Sequence, residues 1–368
     1  MNIINKFLAH GWLCYLAVVL FLFTTVHAQQ SGRFYPGKEW LDNAGVAINA
    51  HGGGVIFYQG VYYWYGEHKI AGVKGNKAYV GVHCYSSVDL YHWKDRGVAL
   101  SVGQDTLAKL TEGCILERPK VLYNKMTRKF VMWFHFEPKG MGYKAALCGV
   151  AVSDHVSGPF RLDHVERPDR GYWPLNEPSS RTDPADTLIR RDFAVGQMSR
   201  DMNLFQDDDG KAYIIYTSEE NRSVHISQLS TDYRRTTGKY VRVFANRYME
   251  AAAVFKKGGR YYFVASGCTG WMPNAARSAV AEHIFGPWTE LENPCRGKDN
   301  SLTFLAQSNF VLKIEGKKDA YIFMADRWQP KNAVDGRYVW LPVKFNEKGF
   351  EIPWKESWDL DCFEEIEQ

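Results

Sequence analysis

The chain has 368 residues, 45% hydrophobic and 23% charged, with 32 Gly and only 14 Pro. That much apolar surface without compositional bias excludes disorder, a collagen-like fibre and a small disulfide scaffold. The net charge of +4 is spread along the chain with no basic block, which argues against a nucleic-acid partner. The unusual quantity is aromatic: 12 Trp, 21 Tyr and 21 Phe suit half-buried strands and also supply flat platforms for sugar rings.

At the amino terminus, Lys6 precedes an apolar run from Trp12 to Phe23, followed by Thr24-Thr25-Val26-His27-Ala28 and the polar stretch Gln29-Gln30-Ser31-Gly32. A positive residue, an apolar core and a small residue before a polar break read as a secretory signal peptide over 1–28. The run is shorter than the roughly 20 residues a spanning helix needs. A secreted or periplasmic protein with no membrane attachment after cleavage is expected. Cys14 leaves with the leader. Cys84, Cys114, Cys148, Cys268, Cys295 and Cys362 remain without a C-x-x-C pair, so the spacing offers no metal site.

From residue 29 to 368 the chain reads as one domain of repeated strands. A short apolar strand, a turn and an aromatic-rich strand recur at 51–67, 117–135, 200–219, 249–267 and 306–326, with Gln59-Gly60, Asn124-Lys125, Asp209-Gly210, Gly258-Gly259 and Glu315-Gly316 at the turns. Further strand-like segments at 82–97, 149–163, 224–238 and 278–291 supply a third and an outer strand. Four strands per unit, five times over, predict an all-β, five-bladed β-propeller; a β-sandwich or two β domains is the alternative.

In a propeller the first strand of each blade lines the axis, so equal offsets from the hairpin turn converge on one rim. Counting back four residues from Val55, Val121, Phe205, Val254 and Val311 gives His51, Glu117, Asp201, Glu250 and Gln307. Polar groups at an axis must be hydrogen-bonded or repelled, and three carboxylates in one cleft push at least one pKa upward. A carboxyl kept neutral at working pH can protonate the leaving oxygen of a glycoside. Glu67, ending the first hairpin, can return a carboxylate to the same rim. Tyr143 and Trp271 lie in loops after second strands, where a ring can stack on a sugar.

Asn49 to Gly54, Tyr62 to Glu67, Glu117-Arg118-Pro119-Lys120, Ser199-Arg200-Asp201-Met202, Asp207 to Gly210 and Thr269-Gly270-Trp271 together resemble glycoside hydrolase family 43, and most of all its exo-β-1,3-galactanase group. The resemblance implies Glu250 as general acid, Asp201 as the carboxylate that orients it, and Glu117 with Arg118 as ligands of the sugar. It places Asn221 and Thr269 at sugar-contacting positions, and Arg327, in the equivalent loop of the fifth blade, is expected to act likewise. Most of the wider family carries a first-blade Asp as base for an inverting attack, and Asn49–Gly54 has none. In the galactanase group the fifth-blade Gln, here Gln307, is the residue implied to position or deprotonate water. A neutral amide is a poor base, so that role needs either the imidic-acid tautomer or a water whose proton is relayed elsewhere.

The expected partner is a carbohydrate, β-1,3-galactan of arabinogalactan, cleaved by a monomer with no cofactor and no metal. An α-L-arabinofuranosidase, a β-xylosidase or a non-catalytic carbohydrate-binding propeller are the alternatives. Asp207-Asp208-Asp209-Gly210 reads as a turn rather than a calcium loop. The HGGG at 51–54 has no G-x-S-x-G elbow to accompany it as an esterase oxyanion loop.

Overall fold

The structure, a computed structural model, describes residues 32–103, 109–178 and 187–365; the expected leader, 1–28, lies outside them. Every expected hairpin is present. They are β1 (His51–Tyr58) with β2 (Val61–His68), β5 (Ile115–Asn124) with β6 (Lys129–Glu137), β9 (Met202–Gln206) with β10 (Ala212–Ser218), β13 (Met249–Lys257) with β14 (Arg260–Gly267), and β18 (Gln307–Lys313) with β19 (Tyr321–Arg327). Gln59-Gly60 and Gly258-Gly259 turn with both residues at positive φ, the geometry that lets a two-residue loop follow the right-handed strand twist.

Four sheets are completed as expected by β3 (Gly81–Ser87) and β4 (Lys94–Ser101), β7 (Leu147–Ser153) and β8 (Arg161–Glu166), β11 (Ser223–Leu229) and β12 (Thr236–Val243), and β15 (Arg277–Ala281) and β16 (Thr289–Leu291). Each is an antiparallel meander of four strands. The fold is an all-β propeller.

The blade count departs from expectation: the described residues form six sheets, not five. The last hairpin gains only β20 (Arg337–Pro342). The chain then turns through β21 (Lys344–Asn346) into β22 (Gly349–Pro353), which pairs in parallel with β17 (Cys295–Arg296), from the segment that leads into the hairpin. The sequence after 326 carries no third-and-outer-strand segment like those of the other four units, so its return strands assemble a small sheet of their own. The strands that follow one another around the axis are β1, β5, β9, β13 and β18, with β18 closing against β1.

Closure explains much of the aromatic content. Phe34 and Trp358 exchange backbone hydrogen bonds (2.7 and 3.1 Å) and stack at 4.4 Å. They join the first of the described residues to the last over a cluster in which Trp64, Trp93 and Trp340 are each 1% exposed. Truncating a ring packed in this way costs about 3–5 kcal/mol. The six cysteines among the described residues are unpaired. No described helix is long and apolar enough to cross a membrane.

Candidate active site

The inner strands open onto a pocket of about 340 Å³. Below it the axis is closed by polar side chains. Lys120 Nζ donates to Gly52 O (2.9 Å), and Asn203 Nδ2 donates to Ala252 O and Asn309 O. The pocket therefore ends on a floor instead of opening into a through-channel.

Four of the five register residues meet at this floor: Glu117, Asp201, Glu250 and Gln307 all line the pocket. A repeated backbone device aims them. Pairing slips between Glu117 and Lys120 on β5/β6 and between Glu250 and Ala253 on β13/β14, and the next residue, Arg118 or Ala251, takes a positive φ (58° and 56°). In a regular strand neighbouring side chains point to opposite faces. The bulge lets Glu117 and Arg118 both enter the pocket.

His51, the fifth register residue, does not line it. The ring is 1% exposed, stacks on Tyr338 at 5.2 Å and lies 3.8 Å from Asp326. Burial, with Lys69 and Arg337 nearby, holds its pKa down to about 3. The first strand pair contributes Glu67 instead, the cross-strand partner of His51. The HGGG run makes this possible, because a Cβ on Gly52 would sit 2.2 Å from the Glu67 carboxylate and one on Gly54 2.6 Å from Lys120. Glu67 is neutralised by Lys69 (2.5 Å) and accepts the Arg118 backbone N–H (2.9 Å).

Arg118 is the hub. Its guanidinium donates to Ser308 O (3.1 Å), Asn309 Oδ1 (2.5 Å), Asp201 Oδ2 (3.0 Å) and Gln307 Oε1 (2.6 Å). Burial works against its charge, but Asp201, Glu67, Glu117 and Glu250 outweigh that and raise its pKa. Glu117 is buried too, yet hydrogen bonding and charge from His135 hold its carboxyl down to about 2. His135 in turn lies between Glu117 Oε2 and Glu137 Oε1, each 3.1 Å away, and against the pull of burial they lift its pKa to about 9. Glu137 is fixed by the backbone N–H groups of Ala145 and Ala146.

Glu117, His135 and Asp201 each bring a potential metal-ligand atom within 4.8 Å of the others. An imidazolium held at both nitrogens by carboxylates has no lone pair to give a metal, and Asp201 is already paired with Arg118. The donor set thus suits an ion-pair network better than a cation.

Glu250 differs from its neighbours. Burial first, and then the charge of Asp201, push its carboxyl up to about 7, against the opposing pull of Arg118. It is therefore protonated through the acidic range and becomes ionised as the pH rises past about 7. For a reaction that needs its proton, kcat/KM should hold level between about pH 5 and 7 and then fall roughly tenfold per pH unit. A pH–rate profile on an oligosaccharide whose leaving group needs protonation measures this; a flat profile to pH 9 would contradict it.

The flanking residues divide. Asn221 lines the pocket and is held through its Oδ1 by Arg200 (3.0 Å). Trp271 is 45% exposed at the rim, edge-on to Trp328 at 6.2 Å. Tyr143 also lines the pocket, but its hydroxyl donates to Glu117 (2.8 Å) and one face lies on His135 at 5.7 Å. It is consequently less free as a platform than its loop position suggested.

Thr269 and Arg327 do not line the pocket. The Thr269 hydroxyl donates to Met272 O (2.5 Å) and accepts from Asn274 (2.7 Å), so it is used up in shaping the Trp271 loop. Arg327 points the other way, donating to Phe304 O (2.9 Å) and lying over Trp354 at 5.4 Å. Its neighbour Trp328 is the residue that enters the pocket, together with Lys69, His135, Arg200 and Thr217, none of which the sequence reading chose. Asp207 turns out to brace a hairpin by pairing with Lys256 at 2.5 Å.

With this geometry in place, comparison with known proteins is specific. The sequence profile described as Glycosyl hydrolases family 43 matches residues 182–350. A curated β-D-galactofuranosidase of Aspergillus niger is 26% identical over 161 residues, 43% of this chain and 46% of that protein, so the match spans about half of that relative's length. Among solved structures, a GH43 β-1,3-galactosidase with galactodeoxynojirimycin is 46% identical, covers 89% of this chain and 100% of its own, and superposes with a TM-score of 0.85. An exo-β-1,3-galactanase from Clostridium thermocellum is 34% identical over 89% of this chain and 66% of its own, with a TM-score of 0.77. One from Phanerochaete chrysosporium with β-1,3-galactotriose is 29% identical over 89% and 68%, with a TM-score of 0.74. Fold, motifs and 46% identity over 89% of the chain agree, and the chain belongs to glycosyl hydrolases family 43.

Proposed function

We propose that the protein is an exo-acting β-1,3-galactosidase that releases galactose from the end of β-1,3-galactan, with Glu250 as general acid. The observation that carries this is the 46% identity, over 89% of this chain and 100% of the other, to a β-1,3-galactosidase solved with galactodeoxynojirimycin. A floor closed by Arg118 and Lys120 suits the end of a polysaccharide chain, which an exo-enzyme takes, better than its middle.

In this reading a galactosyl unit sits above Arg118 and Gln307. The carboxyl of Glu250, kept neutral by burial and Asp201, gives its proton to the oxygen linking that unit to the next. Glu117, kept ionised by His135, accepts sugar hydroxyls, and Asn221 hydrogen-bonds beside it. Trp271 supplies a wall at the rim for the departing chain. Attack of water with inversion belongs to the same proposal.

So does counting the propeller as five blades plus a peripheral sheet, which the order of β1, β5, β9, β13 and β18 around the axis supports. Export is the remaining part and rests on the amino-terminal sequence.

A substrate panel tests the proposal: β-1,3-galactan, and aryl β-galactopyranoside, β-galactofuranoside, α-L-arabinofuranoside and β-xyloside. Galactose should appear from galactan as the first and main product, with the other aryl glycosides at least about tenfold slower, the discrimination a few misplaced hydroxyls produce. Release of arabinose or xylose in preference would reassign the substrate. Galactan binding without product would make the protein a binding module.

A further inference from the structure

We infer that Tyr172, on the flank of the propeller, is a second carbohydrate-binding site, whose ring takes an inner unit of a β-1,3-galactan chain while the end of that chain lies in the axial pocket. This rests on the proposed substrate. Tyr172 and its exposed neighbours Leu175 and Phe193 do not line the pocket.

The ring belongs to a stretch between the second and third sheets that covers an open edge. β12 is the outermost strand of the third sheet, and residues 172–176 run along it. The Leu175 N–H donates to Tyr240 O (2.8 Å), Asn176 Nδ2 donates to Arg242 O (2.8 Å), and Asn176 Oδ1 accepts the Arg242 N–H (3.0 Å). The Tyr240 hydroxyl donates to Tyr172 O (3.3 Å). Contacts of this kind blunt a sheet edge. They use backbone atoms and Asn176, so they account for the path of the stretch and leave its apolar side chains without a packing duty. Tyr172 is 52% exposed, Leu175 60% and Phe193 38%.

The ring is also held in place from beneath. A Cβ on Gly238 of β12 would stand 2.4, 2.4 and 2.5 Å from Cδ1, Cγ and Cδ2 of Tyr172, the position of an atom over the ring face. One face of the ring thus rests on the strand, and Gly238, at a φ of 79°, is what lets it lie so close. The turn before it is anchored in the blade. Asp169, 2% exposed, accepts the Tyr216 hydroxyl (2.7 Å) and the Ser227 hydroxyl through Oδ2, and its carbonyl accepts the Tyr172 N–H (3.2 Å). A ring already fixed on one face loses little freedom when its other face is covered.

One open aromatic face matches one apolar face of a pyranose ring. A stable protein partner buries roughly 1,200 Å² or more, far beyond what a ring and two neighbours offer. A polymer of equivalent units needs only the ring, because each engagement there keeps the rest of the chain near the pocket and raises its local concentration. Tyr172→Ala should therefore raise KM for β-1,3-galactan about three- to tenfold, the size of one aromatic contact, with kcat unchanged. KM for an aryl β-galactopyranoside, which occupies the pocket alone, should stay the same. Tyr172→Phe should match wild type, since the ring and not its hydroxyl makes the contact. An unchanged KM for galactan in Tyr172→Ala, or an equal loss on both substrates, overturns the proposal.

Native electrophoresis through gels containing β-1,3-galactan reads the flank without turnover. The Glu250→Gln protein should be retarded by the polysaccharide, and the protein carrying both Glu250→Gln and Tyr172→Ala should run measurably faster. Equal mobility of the two overturns the proposal. The activity of the pocket is decided separately, by which sugar the wild-type protein releases, so a wrong substrate for the pocket and a missing site on the flank give different results.

Discussion

Glu250→Gln is expected to lower kcat on β-1,3-galactan by about 10²–10⁴-fold, the usual contribution of a positioned acid, and to do so without loosening the fold. The amide is nearly isosteric and can still meet Gln307, but it carries no transferable proton. Stability gives a second, oppositely directed readout. Burial and Asp201 raise the folded-state pKa of Glu250 from 4.5 to about 7. The stability linked to its bound proton is therefore fully present below about 4.5 and lost as pH rises through 7. At pH 8 the wild-type protein holds a desolvated carboxylate beside Asp201, and the variant does not. Thermal melting at pH 8 should thus be higher for Glu250→Gln than for wild type, with the difference closing near pH 4.5. Near-normal turnover would remove Glu250 as the acid. Lost turnover with a lower melting temperature at pH 8 would mean that the substitution damaged the fold instead.

The sequence carried the hairpins because each joins two strands by local turn chemistry, and it carried the pocket because equal offsets from those turns land on one rim. Glu117, Asp201, Glu250 and Gln307 were legible for that reason. His51 obeyed the same count and still failed. Being opposite Glu67, it could be buried once Gly52 let the Glu67 carboxylate through. The cross-strand partners were the missed signal: Glu67 faces His51, His135 faces Glu117, Ser266 faces Glu250 and Asp326 faces Gln307. Reading the register across each hairpin, as well as down its first strand, brings out His135 and Ser266. Trp328 was missed by one residue, since alternation sets it with Asp326 and turns Arg327 away. The sixth sheet was beyond local reading, because β17 and β22 meet in parallel across more than 50 residues and no turn chemistry joins them.

Arg118→Met should be the most destabilising single change in the pocket, costing about 3–5 kcal/mol at pH 7, the cost of stranding a buried charge by removing its partner. Arg118 is 5% exposed and its four side-chain hydrogen bonds join its own strand to Asp201 on the third hairpin and to Gln307, Ser308 and Asn309 on the last. Without it, Asp201 and Glu250 face each other with no guanidinium between them. Since Arg118 opposes the rise in the Glu250 pKa, its loss should carry the alkaline limb of any residual activity above pH 7. The destabilisation should shrink as pH falls and the stranded carboxylates take up protons. Arg118→Lys keeps a charge but not the planar fork, and one ammonium on a flexible stem cannot hold Asp201 and Gln307 at their present separation. It should recover part of the stability and little of the turnover. Urea midpoints at pH 5 and 7 for both variants, set beside their pH–rate profiles, check this. An Arg118→Met protein as stable as wild type at pH 7 would show that the propeller holds these blades together without its axial cation.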